Sequence, residues 1–139
     1  MIQRFLTVLA VVALAFLSSP QSSFAESMDD GAQKAILVTG ASSGIGLNIA
    51  KTLAADGYFV YAGARKQADL DALNKIPNIQ SVRLDVTKQD EIDAAVETVR
   101  ARGKGLYGLV NNAGIVVSGP LTEIEEDELN WIFNVNVIG

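Results

Sequence analysis

Seven residues, Gly40-Ala41-Ser42-Ser43-Gly44-Ile45-Gly46, limit what this chain can become more than any other stretch. They stand between an apolar run, Ala35 to Thr39, and a segment with helical spacing, Ile45 to Asp56, so the local order reads strand, glycine turn, helix. Such a turn gathers free backbone N–H groups and the positive end of a helix at one point, which suits phosphate or pyrophosphate. Glycine is required where a Cβ would block the turn or hold a ligand at a distance. The spacing G-x-x-x-G-x-G is neither the G-x-G-x-x-G of the general dinucleotide fingerprint nor that of a P-loop, because Gly46 is followed by Leu47 and Asn48. Taken alone, the stretch is equally well explained as a turn that merely packs a helix on a sheet.

Composition removes most other chemistries. Of 139 residues 49% are apolar and 19% charged, the balance of a globular domain rather than a disordered chain. The net charge is −5 with no Lys/Arg-rich run, so nothing marks a nucleic-acid partner. The absence of cysteine and histidine excludes thiolate nucleophiles, disulfides, Ser-His-Asp triads and sites built on sulfur or imidazole, and no metal is expected. Hydroxyls, amides, carboxylates, Lys and Arg are what remain.

The first 25 residues have a character of their own. Arg4 precedes an apolar run from Phe5 to Leu17, and Ser18 to Ala25 is small and polar around Pro20. This is the plan of a secretory signal peptide with Ser23-Phe24-Ala25 as its cleavage site, and it predicts an exported, periplasmic or otherwise extracytoplasmic protein. The apolar run of 13 residues falls short of the ~18 to 20 that cross a bilayer. The alternatives are an uncleaved membrane anchor, and a cytoplasmic protein beginning near Met28 below a misassigned start. Residues 26–33 read as a short linker and 34–139 as one domain.

In that domain short β-rich runs alternate with helical patterns, which predicts an α/β fold with a doubly wound parallel sheet covered on both faces. Strands are expected at Ala35 to Thr39, Phe59 to Gly63, Ile79 to Arg83 and Gly108 to Asn111. Helices are expected near Gly44 to Asp56, Ala68 to Lys75 and Lys88 to Arg102, with a fourth from about Ile124. Ile45, Ile49, Thr52 and Leu53 form the inward face of the first helix, and Ile92, Ala95, Val96 and Val99 that of the third. Thr87 with Asp90 is expected to cap the third helix, and Thr122 with Glu125 to form a capping box on the fourth.

Three further motifs follow the glycine turn. At the end of the second strand, Ala64 offers no carboxylate to a ribose 2′-OH, while Arg65 offers a planar fork suited to a 2′-phosphate. That pairing favours NADP(H) over NAD(H), against the competing reading of Arg65-Lys66 as a solvated basic pair. After the third strand, the Asp85 carboxylate can accept from an exocyclic amine such as that of adenine, although a lone Asp at such a place is more often a turn or cap residue. After the fourth, the paired amides of Asn111-Asn112 can cross-link strand ends, and Ala113-Gly114 lets a ribose or nicotinamide come close. Asn136, near the C-terminus, carries no meaning by itself.

Together, Thr39-Gly40-x-x-x-Gly44-x-Gly46, Asp85-Val86, Asn111-Asn112-Ala113-Gly114 and Asn136-Val137-x-Gly139 closely resemble the short-chain dehydrogenase/reductase family, in order and separation, from Ala35 to Gly139. The resemblance implies a Rossmann fold with parallel strand order 3-2-1-4, continuing into further strands in full-length members. It also implies hydride exchange between a nicotinamide and a small-molecule carbonyl or alcohol, and a homo-oligomer for the full-length protein. It assigns Gly40, Ser42, Gly44, Ile45 and Gly46 to the pyrophosphate and ribose, and Arg65 to the 2′-phosphate. Asp85 and Val86 would flank the adenine, and Asn112, Ala113 and Gly114 would line the cofactor trough. Asn136 matches the family's helix asparagine, which holds a water of the proton relay. Ser43 belongs to the cofactor-binding loop at a place where some NADP-binding members carry a basic residue, which leaves Arg65 as the main support for NADP(H).

The family's chemistry uses a Ser, a Tyr and a Lys, the last two spaced Tyr-x-x-x-Lys: the phenol protonates the carbonyl, and the lysine lowers its pKa. Here Tyr58, Tyr61 and Tyr107 are followed four residues on by Ala62, Arg65 and Asn111. The sequence closes at Gly139 inside the expected fourth helix, so the reading is a Rossmann domain truncated after its fourth strand and part of the next helix. On that reading the chain is the cofactor-binding half of an oxidoreductase, inactive alone; the alternative is a non-catalytic nucleotide-binding remnant. Either way, Gly108 to Asn111 is expected to be an unpaired apolar edge, and the chain marginally stable.

Overall fold

Ala35-Ile36-Leu37-Val38 has no polar position to turn toward water, and a strand of that kind must be covered on both faces. In the computed structural model, which describes residues 33–139, it becomes the inner strand β1 (Ala35–Val38). The signal-peptide, anchor and start-site readings of residues 1–25, and all but the last residue of the 26–33 linker, lie outside the described residues. The chain continues through α1 (Gly44–Ala55), β2 (Phe59–Ala64), α2 (Gln67–Leu73), β3 (Ile79–Arg83), α3 (Gln89–Ala101) and β4 (Gly108–Val110). A single 3-10 turn (Leu121–Glu123) then leads into α4 (Glu126–Phe133), which runs on into a π turn (Asn134–Ile138).

The sheet is parallel, in the order β3-β2-β1-β4. Register places Val38 opposite Ala62 on one side and opposite Val110 on the other, so β1 and β4 end level while β2 runs two residues further, to Ala64, beside β3. One face carries Ile36, Val38, Val60 and Ala62 and is covered by α1 and α2 through Ala50, Ala54, Leu70 and Leu73. The opposite face carries Ala35, Tyr61, Val82 and Leu84 and is covered by α3 through Ala95 and Val99. This is the doubly wound arrangement expected from the alternation of elements.

The helix faces differ from the expected stripes. On α1 the buried residues are Gly46, Ala50 and Ala54, with Leu47, Ile49 and Leu53 packed beside them; Ile45 is 74% exposed and Thr52 faces solvent. Small residues spaced by four let the helix backbone approach the sheet, so the smallest face wins over the most apolar one. On α3, Ala95 and Val99 are buried, but Val96 is exposed beside an apolar groove of about 550 Å³ that also involves Leu37, Leu106 and Leu109.

The caps also move. Thr87 does not cap α3, whose N-cap is Lys88, because its hydroxyl donates to Asp85 Oδ1 at 2.8 Å two residues upstream. Thr122 lies within the 3-10 turn, and α4 begins two residues later than expected, with a capping box made by Glu125 and Glu128.

Candidate cofactor site

The chain leaves β3 at one end of the sheet and re-enters at β4 on the far side of β1, so winding reverses between β1 and β4. In open α/β sheets a ligand crevice forms at such a reversal, beyond the carboxyl ends of the strands. Here that crevice is a cleft of about 350 Å³. It brings together Gly40, Ser42, Ser43, Ile45, Gly46, Arg65, Asp85, Val86, Asn112, Ala113 and Gly114 from four separate loops. Gly44 and Asn136 are not among its walls. Gly44 turns the chain into α1 at φ +55°, a conformation that favours glycine.

The floor is built on Thr39, buried at the end of β1. Its Oγ1 accepts from the backbone N–H groups of Asn112 and Ala113, each at 2.9 Å. Asn112 returns the connection: its Nδ2 donates to the carbonyls of Thr39 at 3.0 Å and Gly40 at 3.1 Å. The expected cross-link between strand ends therefore exists, but a single amide makes it. Asn111 is exposed and lines the apolar groove on the other face, because successive side chains of an extended segment point to opposite sides.

The glycines follow from the same geometry. A Cβ on Gly46 would collide with Asn112 Nδ2 and the Gly40 carbonyl, and one on Gly40, at φ +63°, would sit 2.8 Å from Ala113 Cα. Ser43, at the N-cap of α1, makes no side-chain cap hydrogen bond. Ala41 N–H is committed to Gly63 O at 2.8 Å, which pins the turn to β2.

Across the cleft, Asp85 closes a turn and also borders the cleft. Its Oδ1 accepts from the Thr87 backbone N–H at 3.1 Å and from the Thr87 hydroxyl, a local turn, while the residue still lines the cleft. Partial burial raises its pKa, but the two Thr87 hydrogen bonds and the nearby cations Arg65 and Lys88 outweigh that and hold it below the usual aspartate value. The carboxylate is thus anionic at neutral pH. Glu91, on α3, fixes the backbone here by accepting from Asp85 N–H at 2.7 Å.

Asn136 acts on the cleft from behind. Its Oδ1 accepts from Ile115 N–H and its Nδ2 donates to Ile115 O, both at 2.9 Å, so its side-chain amide holds the loop after β4. Val135, buried beside it, lines the cleft. Sequence reasoning missed Glu91 and Val135, and it named Thr39 only as part of the glycine motif, without a role in the site. The signal for that role was a lone hydroxyl closing an otherwise apolar strand; Glu91 and Val135 are joined to the site only by the fold. Among the described residues no three His, Cys, Asp or Glu side chains gather as a metal site.

A family profile described as short chain dehydrogenase matches residues 34–139. Among curated proteins, bovine (Bos taurus) mitochondrial D-beta-hydroxybutyrate dehydrogenase is 34% identical over 134 residues, covering 89% of this chain and 39% of its own length. A short-chain dehydrogenase from Streptomyces avermitilis superposes with a TM-score of 0.71 at 38% identity, over 78% of this chain and 41% of that one. An actinorhodin polyketide ketoreductase solved with NADPH superposes with a TM-score of 0.72 at 32% identity, over 76% and 42%. The chain thus spans about two fifths of the length of the proteins it matches.

Proposed function

The chain belongs to the short-chain dehydrogenase family, and from that premise we propose that it is the cofactor-binding half of an NADP(H)-dependent oxidoreductase acting on a small-molecule carbonyl or alcohol. The observation that carries the proposal is the cleft itself, with the glycine turn on one wall and Arg65 and Asp85 on the other. A dinucleotide fits what these residues leave open. The missing Cβ atoms of Gly40 and Gly46 let strand β1, helix α1 and Asn112 close up behind the turn, while the N-terminus of α1 has no capping side chain to compete with a pyrophosphate. Ala113, packed beside Gly40, and Gly114 line the cleft with little or no side chain, which leaves room for a ribose and nicotinamide. When bound, the nicotinamide supplies or accepts the hydride.

The preference for NADP(H) rests on the second strand's end. Ala64 presents no carboxylate to a 2′-OH, and among the described residues no carboxylate lies in salt-bridge range of Arg65. A guanidinium there that acts on Asp85 through its charge without a direct salt bridge is open to a 2′-phosphate. That a related ketoreductase was solved with NADPH supports the same direction.

A second reading is favoured by one observation: none of Tyr58, Tyr61 and Tyr107 is followed by lysine four residues on, and Tyr61 is fully buried in the core. A nucleotide-binding remnant without chemistry is consistent with that. Ligand-observed NMR on the full 139-residue chain tests the main reading. NADPH saturation transfer should persist at equimolar NADH and vanish with excess adenosine 2′,5′-bisphosphate. Displacement by NADH at equal concentration would overturn the NADP(H) assignment. NADPH oxidation with a panel of ketones and aldehydes should be absent, and turnover would overturn the assignment of these residues to the cofactor half alone.

A further inference from the structure

Arg83 closes β3 and is exposed, in a position where a solvated cation would be unremarkable. Its guanidinium instead reaches across to the β2–α2 loop. Nη1 donates to the backbone carbonyl of Arg65, and Nη2 donates to Gln67 Oε1 at 3.0 Å. Gln67 in turn donates through Nε2 to Asp71 Oδ1 at 2.8 Å. One planar fork thus grips both residues flanking Lys66, and with them the short segment that presents Arg65 to the cleft. The other ties are backbone bonds on either side of Arg65: the Lys66 carbonyl accepts from Asp69 N–H and Leu70 N–H, each at 3.1 Å, and Ala64 O accepts from Leu84 N–H at 3.0 Å; α2 has no side-chain cap at Lys66, and none of these bonds holds the Arg65 carbonyl.

We infer that Arg83 is a positioning residue for 2′-phosphate recognition: by holding the Arg65 carbonyl and Gln67 in one frame, it fixes the direction in which the Arg65 guanidinium leaves the backbone. The inference rests on the NADP(H) reading of the site. A flexible arginine loses several rotamers when it closes on a phosphate, and a loop that also has to be ordered adds to that cost. A fork anchored on β3 removes the loop's share before the ligand arrives. The planar guanidinium is required because two acceptors in different directions must be met at once, which a lysine ammonium on a flexible stem does not reproduce with the same rigidity. Arg83 is a positioning and not a catalytic residue, since it does not line the cleft and its bonds are to the loop.

The test compares adenosine 2′,5′-bisphosphate with 5′-AMP as probes, by NMR titration of the full chain. The readout is the ratio of their dissociation constants, which isolates the 2′-phosphate. The unsubstituted chain should prefer the bisphosphate, and Arg65→Gln should abolish the preference. If the unsubstituted chain shows none, the NADP(H) reading falls and this inference with it. Given a preference, Arg83→Gln should lower the ratio about tenfold, as expected for loss of charge-assisted hydrogen bonds, while 5′-AMP binds unchanged. An unaltered ratio in Arg83→Gln overturns the inference and leaves the NADP(H) reading intact. Equal weakening of both probes also overturns it, since that is what general loss of structure would do. Arg83→Lys separates charge from geometry: it should lose the preference as Arg83→Gln does, and full retention would overturn positioning in favour of bulk charge. Circular dichroism and thermal melting of each variant confirm the fold, and an unfolded Arg83→Gln with a folded Arg83→Lys leaves the second variant to decide.

Discussion

A threonine hydroxyl carries one donor and two acceptor lone pairs, and Thr39 uses all of them. It accepts from Asn112 N–H and Ala113 N–H and donates to Val110 O at 3.4 Å, the longest of the set. Valine has nearly the same shape but offers no acceptor, so Thr39→Val would strand two partly buried N–H groups at the base of the cleft. Each such group costs about 1 to 3 kcal/mol, and the substitution should lower stability by roughly 2 to 4 kcal/mol in urea unfolding, allowing for partial rehydration. Thr39→Ser, which keeps the oxygen, should cost much less. Equal losses in the two variants would show that the methyl group, not the hydroxyl, matters there. Glycine at position 46 follows the same reasoning inverted: the site needs an atom to be missing, because Asn112 Nδ2 and the Gly40 carbonyl occupy the space a Cβ would take.

Among the elements, the loop after β4 depends most on a distant partner. Ala113 to Ile115 has no ladder of its own, and its order comes from Thr39 on one side and Asn136 on the other. The π turn that follows α4 is what brings Asn136 opposite Ile115, since a π turn rotates side chains relative to a continued α-helix. Asn136→Ala removes both hydrogen bonds to Ile115 while leaving the backbone turn possible. Hydrogen exchange at the Ile115 amide should then accelerate by about tenfold, with exchange in β2 and β3 unchanged. Acceleration spread evenly over the domain would instead mean that Asn136 supports global stability. The family resemblance gives the same asparagine a water of a proton relay; in the structure its side-chain amide is taken up by the Ile115 backbone.

At the level of the whole molecule, one face of the sheet is only partly covered. The α3 side shields Leu84 and Val82, but Leu37, Val96, Leu106 and Leu109 border the open groove, and Leu109 on β4 is 53% exposed. No other strand among the described residues pairs with β4 beyond β1. An apolar groove beside an open strand edge favours association. Sedimentation should therefore show concentration-dependent association of the purified chain, and Leu109→Lys should raise its onset by about tenfold, the worth of burying one leucine at a contact. Association unaffected by Leu109→Lys would place the contact elsewhere. The unpaired edge expected from the run Gly108 to Asn111 corresponds to this one, although the strand itself ends at Val110, where Asn111 and Asn112 turn out of the ladder to meet the cleft and the groove.

How much of this was legible without coordinates follows from the range of the forces involved. Strand and helix positions come from local periodicity, and they agree with the fold to within a residue or two: Ile79–Arg83 matches, and Gly44–Ala55 ends one residue early. The glycine turn was readable because a positive φ and a forbidden Cβ leave a residue-type signature, and the downstream motifs told cofactor loop from packing turn by their separations along the chain. The inward face of α1, the cap of α3, the division of labour between Asn111 and Asn112, and the forks of Thr39 and Arg83 were not readable. Each depends on which of several chemically suitable neighbours lies in packing or hydrogen-bond range: for the α3 cap the choice is made within two residues, but for the forks of Thr39 and Arg83 the partners lie 16 to 74 residues away and are set by strand order and register. Sequence by itself determined the family, the alternation of elements and most of the residues that bound the cleft, because those are written as type and spacing. Only the tertiary structure decided which atom meets which, because hydrogen bonds and close packing depend on fractions of an ångström that no spacing encodes.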